Sequence, residues 1–269
     1  MGGDASGEIL LYGGRKMALI FFDLDGTTLD GGTPAKGVID SIKALKANNH
    51  VVAIATGRTP SLLGGNDKLF CIENLVLGNG SYVICNGEVI YERSIPNELV
   101  KKFMVFSDNM EADLVIEYLD SYIAYRKNTD IPDSFSDIFK LERPKVDRNF
   151  YPNRKVFAMV VFESERVQQY KDAFPELTFN VSNSLGFDVN LKGGLKAEGI
   201  EEIIKHLKYS EDDIYALGDG HNDISMLKAV KHGIAMGNAS SEVKEVAEYV
   251  TTNVDDYGVY NALKHYNLI

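Results

Sequence analysis

From residue 17 onward the chain alternates between two patterns. One is a short, unbroken apolar run; the other is a longer stretch in which apolar residues recur every three or four positions. "MALIFF", "VVAIAT" and "LVLGNG" are of the first kind, the signature of strands buried on both faces. Between the first two, "PAKGVIDSIKALKANNH" places Val38, Ile39, Ile42 and Leu45 at helical spacing. A strand–helix–strand rhythm with strands this apolar predicts a parallel sheet covered by helices. The rhythm returns after residue 192: "AEGIEEIIKHL" predicts a helix, "DIYALGD" a buried strand, "NDISMLKAV" a helix, "HGIAMGN" a strand and turn, and "SSEVKEVAEYV" and "GVYNALKHY" two further helices.

Near residue 82 the pattern breaks. "YVICNGEVIY" sets an Asn-Gly pair between two short apolar runs, a strong hairpin signal. Beyond it come a helical stretch from Pro96, strands at "DLVIEYL" and "SYIAYR", and a helical segment ending near Leu141. "KVFAMVVFE" predicts a strand, "SERVQQYKDAF" a helix with a serine cap, and "LTFNVS" and "GFDVNL" two more strands. Short strands and hairpins of this kind predict an α+β unit with an antiparallel sheet. The expected fold class is therefore α/β: a parallel-sheet core at 17–82 and 192–269, interrupted by an inserted domain at 83–191. The glycine-rich residues 1–16, "MGGDASGEILLYGGRK", read as an N-terminal extension or leader, outside the fold.

Composition narrows the class of partner. The formal net charge is −11, which argues against a nucleic-acid backbone or an anionic membrane surface, since both reward clustered Lys and Arg. A small anionic substrate stays compatible, because one local cationic pocket suffices. No apolar run approaches the roughly 18 residues that span a bilayer. The two cysteines, Cys71 and Cys85, lie in apolar stretches and read as reduced core thiols of a cytoplasmic protein.

Candidate chemistry gathers at the predicted strand ends. In an open parallel sheet, ligands bind beyond the carboxyl ends of the strands. "DLDGT" at 23–27, "TGR" at 56–58, "GLKAEG" around Lys196 and "GDGHND" at 218–223 each fall just past such an end or at the start of a core helix. Any one has a bland explanation, since Asp and Gly favour turns and a lysine opening a helix is normally solvated. Together they supply the carboxylates of Asp23, Asp25, Asp219 and Asp223, one lysine, one threonine hydroxyl and glycine-freed amides. Carboxylates without a His or Cys cluster suit a hard cation such as magnesium. Lysine, hydroxyl and amides suit a phosphate. His221 reads as a loop residue beside the site rather than a catalytic group.

These residues carry a resemblance. "DLDGTTLD", "TGR", a lysine before a helix, and "GDGHNDISML" followed by "AMGNA" are similar to the four motifs of the haloacid dehalogenase superfamily. The likeness extends to the Cof-like phosphatases, with a large α/β cap inserted between the second and third motifs. It covers the chain from Met17 to its end. One position departs: Ala197 follows Lys196 where the family commonly has glycine, which leaves Lys192 as a rival for the motif lysine.

The resemblance implies a Rossmann-like core and a set of roles. Asp23 would attack phosphorus, and Asp25 would protonate the leaving oxygen and then activate water. Magnesium would be held by Asp23, the Asp25 carbonyl, Asp219 and Asp223. Thr56, the amides of Gly57 and Leu24, Lys196 and Asn222 would bind the phosphate, with Arg58 within reach of the substrate. The implied activity is a magnesium-dependent phosphatase acting on a small phosphorylated metabolite, of the sugar phosphate or phosphorylated cofactor class, with the cap supplying specificity. A phosphomutase and a non-catalytic phosphate-binding or regulatory protein are the alternatives.

Overall fold

The structure is a computed structural model that describes residues 11–12, 15–125, 135–137, 140–149, 151–163, 165–183, 186–193 and 195–269. Of the N-terminal extension it describes only a two-stranded ribbon, Leu11–Tyr12 against Arg15–Lys16. The chain then forms β1 (Leu19–Phe22), α1 (Val38–Ala47), β2 (Val51–Ala55), β3 (Asn74–Leu77), β4 (Tyr82–Cys85) and β5 (Glu88–Glu92). After these come α2 (Asn97–Asn109), β6 (Leu114–Tyr118), β7 (Tyr122–Tyr125), β8 (Lys145–Val146), β9 (Val156–Val161), α3 (Val167–Ala173), β10 (Leu177–Asn183) and β11 (Gly186–Leu191). The last part holds α4 (Lys196–Leu207), β12 (Ile214–Gly218), α5 (Ile224–Ala229), β13 (His232–Ala235), α6 (Ser241–Val246), β14 (Tyr249–Val250) and α7 (Gly258–His265).

The core sheet has eight strands in the order β14-β13-β12-β1-β2-β3-β4-β5. It is parallel from β14 through β3 and antiparallel at β4 and β5. Its continuous apolar strands follow from two-sided burial. Ile20 and Phe22 of β1 face α1 and α7 through Val38, Ile42, Val259 and Leu263. Leu19 and Phe21 face α4, α5 and α6 through Ile200, Ile203, Met226 and Val243. Period-2 alternation thus delivers both faces of one strand to apolar layers.

The inserted domain is a second sheet of six strands, β8-β7-β6-β9-β11-β10. It is antiparallel except for the β7–β8 pair. α2 and α3 cover one face, with Phe103, Tyr170 and Phe174 packed over Leu114, Ile116, Met159 and Val189. Between the two units, Leu62 of the core contacts the buried Val115 and Phe135 of the insert, and Tyr82 meets Phe157 edge-to-face at 5.4 Å.

Several expectations change. The Asn-Gly hairpin assigned to the insert forms β4 and β5, and these belong to the core sheet. β4 pairs with β3 from Leu77↔Tyr82 onward, so the chain leaves the core after Glu92 rather than at 83. A turn signal reports that two segments pair, but not which sheet they extend. Cys85 is buried, but Cys71 is exposed; it sits at φ 53° in the turn leading to β3. The helix expected from Ser164 starts at Val167 with Arg166 as its N-cap, and Ser164 itself lies outside the described residues. So does most of the helical segment expected before Leu141, of which 135–137 are described as helix.

Candidate active site

The site is assembled by hydrogen bonds that close the ends of β1 and β12. Asp23 N–H donates to Leu217 O at 3.0 Å, extending the ladder by one residue, and the Leu24 carbonyl then accepts from the amides of Thr27, Thr28 and Leu29. This winds the chain tightly over the strand end. Thr28 Oγ1 donates to Asp23 O at 2.9 Å. Gly26, at φ +81°, completes the turn against Asp219, whose Oδ2 would lie 2.2 Å from any Cβ at position 26. Glycine is required twice over, by its backbone angle and by the close approach.

Lys196 is the first residue of α4, and its head group is fully buried. Nζ donates to Asp23 Oδ1 at 2.6 Å and to Asp223 Oδ1 at 2.5 Å. Gly199, one turn later, lets the helix approach this closely, since a Cβ there would meet Val76 Cγ1 at 2.3 Å and Gly80 Cα at 2.8 Å. The rival Lys192 instead donates to Pro175 O at 3.1 Å, out on the insert. The other oxygen of Asp223 accepts from the amides of Asp219 and Gly220 at 2.9 and 2.8 Å. Asp219 accepts from Thr27 Oγ1 at 3.0 Å and from Asn238 Nδ2 at 3.2 Å.

Asp23, Asp219 and Asp223 thus bring ligand atoms within 4.8 Å of one another. Burial first, and the Asp223 charge second, push the Asp23 carboxyl well above its ordinary range, with Lys196 pulling the other way. Asp219 is pushed up to about 6 by burial and by Asp223. Burial opposes the charge on Lys196, but its two carboxylates outweigh that and hold it above the usual lysine range. Three carboxylates against one ammonium leave negative charge uncompensated in a buried cluster of oxygen donors. The donor set fits a hard divalent cation such as magnesium.

Asp25 goes elsewhere. The spacing of "DLD" suggests that Asp23 and Asp25 repel each other, but the neighbours that raise Asp23 are Asp223 and Asp219. Asp25 is half-exposed and held by Arg58, with Nε to Oδ2 at 2.7 Å and Nη2 to Oδ1 at 2.6 Å. Arg58 is itself buried and also donates to Leu62 O at 3.1 Å. Thr56, buried at the end of β2, accepts the Arg58 amide on Oγ1 at 3.1 Å. Asn222 Nδ2 donates to Asn79 Oδ1 at 3.0 Å. His221 is exposed and turned toward Glu242.

Asp23, Asp25, Thr56, Gly57, Arg58 and Asn222 open on one cavity of about 340 Å³, closed on its other side by the insert. Sequence reasoning missed the residues that seal it. Asn79, at φ 53°, donates to Asn190 Oδ1 on β11 at 3.0 Å, so an asparagine chain runs from Asn222 to the insert. Thr59 Oγ1 donates to Glu117 Oε2 on β6 at 2.8 Å. Asn238 Nδ2 also donates to Gly26 O at 2.9 Å, tying the second acidic loop to the first. The signal for Asn238 was present in "AMGNA"; nothing in the local pattern around Asn79, Glu117 or Asn190 marks them.

Fold and site together define an α/β enzyme with its acidic cluster at the carboxyl edge of a parallel sheet, beneath an inserted domain. A family model described as haloacid dehalogenase-like hydrolase matches residues 20–263. The protein YkrA of Bacillus subtilis (strain 168) is 34% identical over 257 residues, covering 93% of this chain and 98% of YkrA. A solved structure of a hypothetical protein from Geobacillus kaustophilus HTA426 is 36% identical with a TM-score of 0.86, covering 94% of this chain and 100% of that one. The sugar phosphatase BT4131, of HAD subclass IIB, is 30% identical with a TM-score of 0.84 over 94% of this chain and 100% of its own. The chain belongs to the haloacid dehalogenase-like hydrolases and is an enzyme of the phosphatase class. Among the described residues no helix is long and apolar enough to cross a membrane.

Proposed function

We propose that this enzyme is a magnesium-dependent phosphatase that hydrolyses a small phosphorylated metabolite, of the sugar phosphate or phosphorylated cofactor class, through an aspartyl-phosphate on Asp23. The observation that carries the reading is the junction of the buried Asp23–Lys196–Asp223 cluster with a cavity of about 340 Å³. A nucleophile, a cation and room for a leaving group meet at one place. The name of BT4131 as a sugar phosphatase supports the substrate class.

In this reading the carboxylate of Asp23 attacks phosphorus. Lys196 stabilises the charge on the phosphoryl oxygens, with the Thr56 hydroxyl, the Gly57 and Leu24 amides and the Asn222 amide as further donors. Asp219 and Asp223, with Asp23 and the Asp25 carbonyl, would hold magnesium, which when bound screens the charge between carboxylate and phosphate. Asp25 protonates the leaving oxygen and then takes a proton from the hydrolytic water. Arg58 sets the direction of Asp25, and a protonated Asp25 keeps only part of that two-point contact.

The test is a pair of substrates and one variant. Wild-type protein with magnesium should release inorganic phosphate from p-nitrophenyl phosphate and from an alkyl phosphate. Asp25→Asn should slow the alkyl ester most, because an alkoxide needs the proton. On p-nitrophenyl phosphate it should give a burst of nitrophenol, then a stall with phosphate trapped on Asp23. Equal slowing of both esters with no trapped phosphate would remove Asp25 from the chemistry. Isomerisation without release would indicate a phosphomutase, and no turnover a binding protein.

A further inference from the structure

The cavity has two ends of different chemistry. Toward the core lie Asp23, Thr56 and Gly57; toward the insert lie Glu117 on β6, Asp188 and Asn190 on β11, and the apolar side chains of Val160, Phe162 and Phe187. Arg58 is the only cationic side chain lining it among the described residues, and its guanidinium is committed to Asp25. Among the described residues, no cation at the insert end would neutralise an anion. Asn190 is buried to 1% exposure; its Oδ1 accepts from Asn79, while its Nδ2 has no hydrogen-bond partner among the described residues. An amide donor buried in this way costs free energy unless something accepts from it.

Resting on the phosphatase reading above, we infer that Glu117 and Asp188 select the leaving group. They admit phosphate esters whose remote end is neutral or cationic and offers N–H or O–H donors, such as amino-polyols and polyols. They exclude esters that carry a second anion. The two carboxyls accept from the leaving group's amine or hydroxyls, Asn190 Nδ2 donates to one of its oxygens, and the apolar wall packs against its carbon face. A second carboxylate or phosphate there would face Asp188 with no counter-ion among the described residues, and like charges brought together at a desolvated site repel strongly. The electrostatics agree. Burial lifts Asp188 only to about 6, so it is charged at neutral pH. Burial lifts Glu117 to about 8, Thr59 pulling down and Asp188 pushing up, so it is neutral there and adds polarity without a second charge.

The experiment compares glucosamine 6-phosphate, glucose 6-phosphate and 6-phosphogluconate, which differ in charge remote from the phosphorus, with p-nitrophenyl phosphate as a control that barely reaches the insert. kcat/KM is measured at pH 7 with magnesium for wild type, Asp188→Asn and Glu117→Gln. The expected order is amine, then neutral sugar, then carboxylate, with about tenfold or more between the ends. Asp188→Asn should compress that range, chiefly by admitting 6-phosphogluconate, while Glu117→Gln, which exchanges one neutral group for another, should keep the order. Should Asp188→Asn fail to fold, the wild-type ranking still decides. 6-Phosphogluconate hydrolysed as well as glucose 6-phosphate by wild type, or a ranking untouched in Asp188→Asn, would overturn the inference while p-nitrophenyl phosphate turnover left the phosphatase reading standing. No turnover of p-nitrophenyl phosphate by wild type would overturn both.

Discussion

Two groups of buried acids face each other across the cavity, and they are buried on different terms. In the core, Asp23 and Asp223 share a buried lysine and Asp223 accepts two backbone amides. In the insert, Glu117 has the hydroxyl of Thr59, and among the described residues no cation contributes to the shift of either Glu117 or Asp188. A carboxylate that is paired and still pushed upward by its neighbours is short of positive charge and suits a metal and an anionic phosphate. A carboxyl buried with a single hydroxyl relieves its burial by taking up a proton. The contrast separates the chemistry of bond breaking from the recognition of what leaves.

The strongest way to break this comparison is at the nucleophile. Asp23→Asn should lower turnover at least about a thousandfold, while thermal melting of the metal-free protein stays level or rises, because a carboxyl disfavoured by burial has been removed. Retention of more than a few per cent of wild-type activity would end the covalent role. Next in size is the metal. EDTA should abolish turnover reversibly, and Asp219→Ala should raise the magnesium requirement about a hundredfold or more, read from activity against magnesium concentration. Full turnover in metal-free buffer would contradict the assignment of the cluster.

A smaller effect sharpens the insert's half. Glu117 titrates near 4.5 when unfolded and is raised to about 8 in the fold, so between those values the folded state binds the proton more tightly than the unfolded state. Its contribution to stability is full below about 4.5, falls as pH rises through the window, and levels off above about 8. The facing groups in the cavity are Asp188, Asp25 and Arg58, so the comparison needs a variant: Glu117→Gln should flatten the fall in melting temperature between pH 5 and 8. An identical slope in the variant would assign the effect elsewhere. The smallest expected change is at Asn79. Asn79→Gly keeps the left-handed backbone accessible while removing both amide contacts, and should destabilise by about 1–3 kcal/mol and raise KM more than it lowers kcat. A variant with unchanged melting and KM would show that the asparagine chain contributes nothing to holding the insert down.

The sequence made legible whatever is repeated along the chain or crowded into a few residues. "MALIFF" and "VVAIAT" announce buried parallel strands because both faces need apolar residues, and strand ends in such a sheet gather at one edge, so Asp23, Thr56 and Asp219 could be placed together. Asp223 and Lys196 follow by the same logic, since each opens or precedes a helix leaving that edge. Partners chosen in three dimensions were not legible. Arg58 reads as a substrate contact until its two bonds to Asp25 are seen, and the Glu117 of "VIEYL" looks like a solvent-facing strand residue until the core is laid over it. The hairpin at 82–92 shows the same limit for the fold, because pairing is local but sheet membership is not.

The chain passes between the two units twice, after Glu92 and before Leu195, and the Arg93 side chain spans from the first passage to the second: a Cβ on Gly193 would come 2.9 Å from Arg93 Nη1. Two tethers placed close together would act as the pins of a door. Were the insert to turn on them, the line they define would be the axis. Distance from that line then ranks the contacts. Asn190 stands next to the second tether and would travel little, whereas Glu117 lies on β6, with β9 between it and β11, and would sweep a wider arc at roughly 5 Å per strand. The Thr59–Glu117 contact would then be the latch, with the Asn79–Asn190 contact nearer the jamb. A probe placed near Glu117 would report each swing of the door, while one near Asn190 would barely register it.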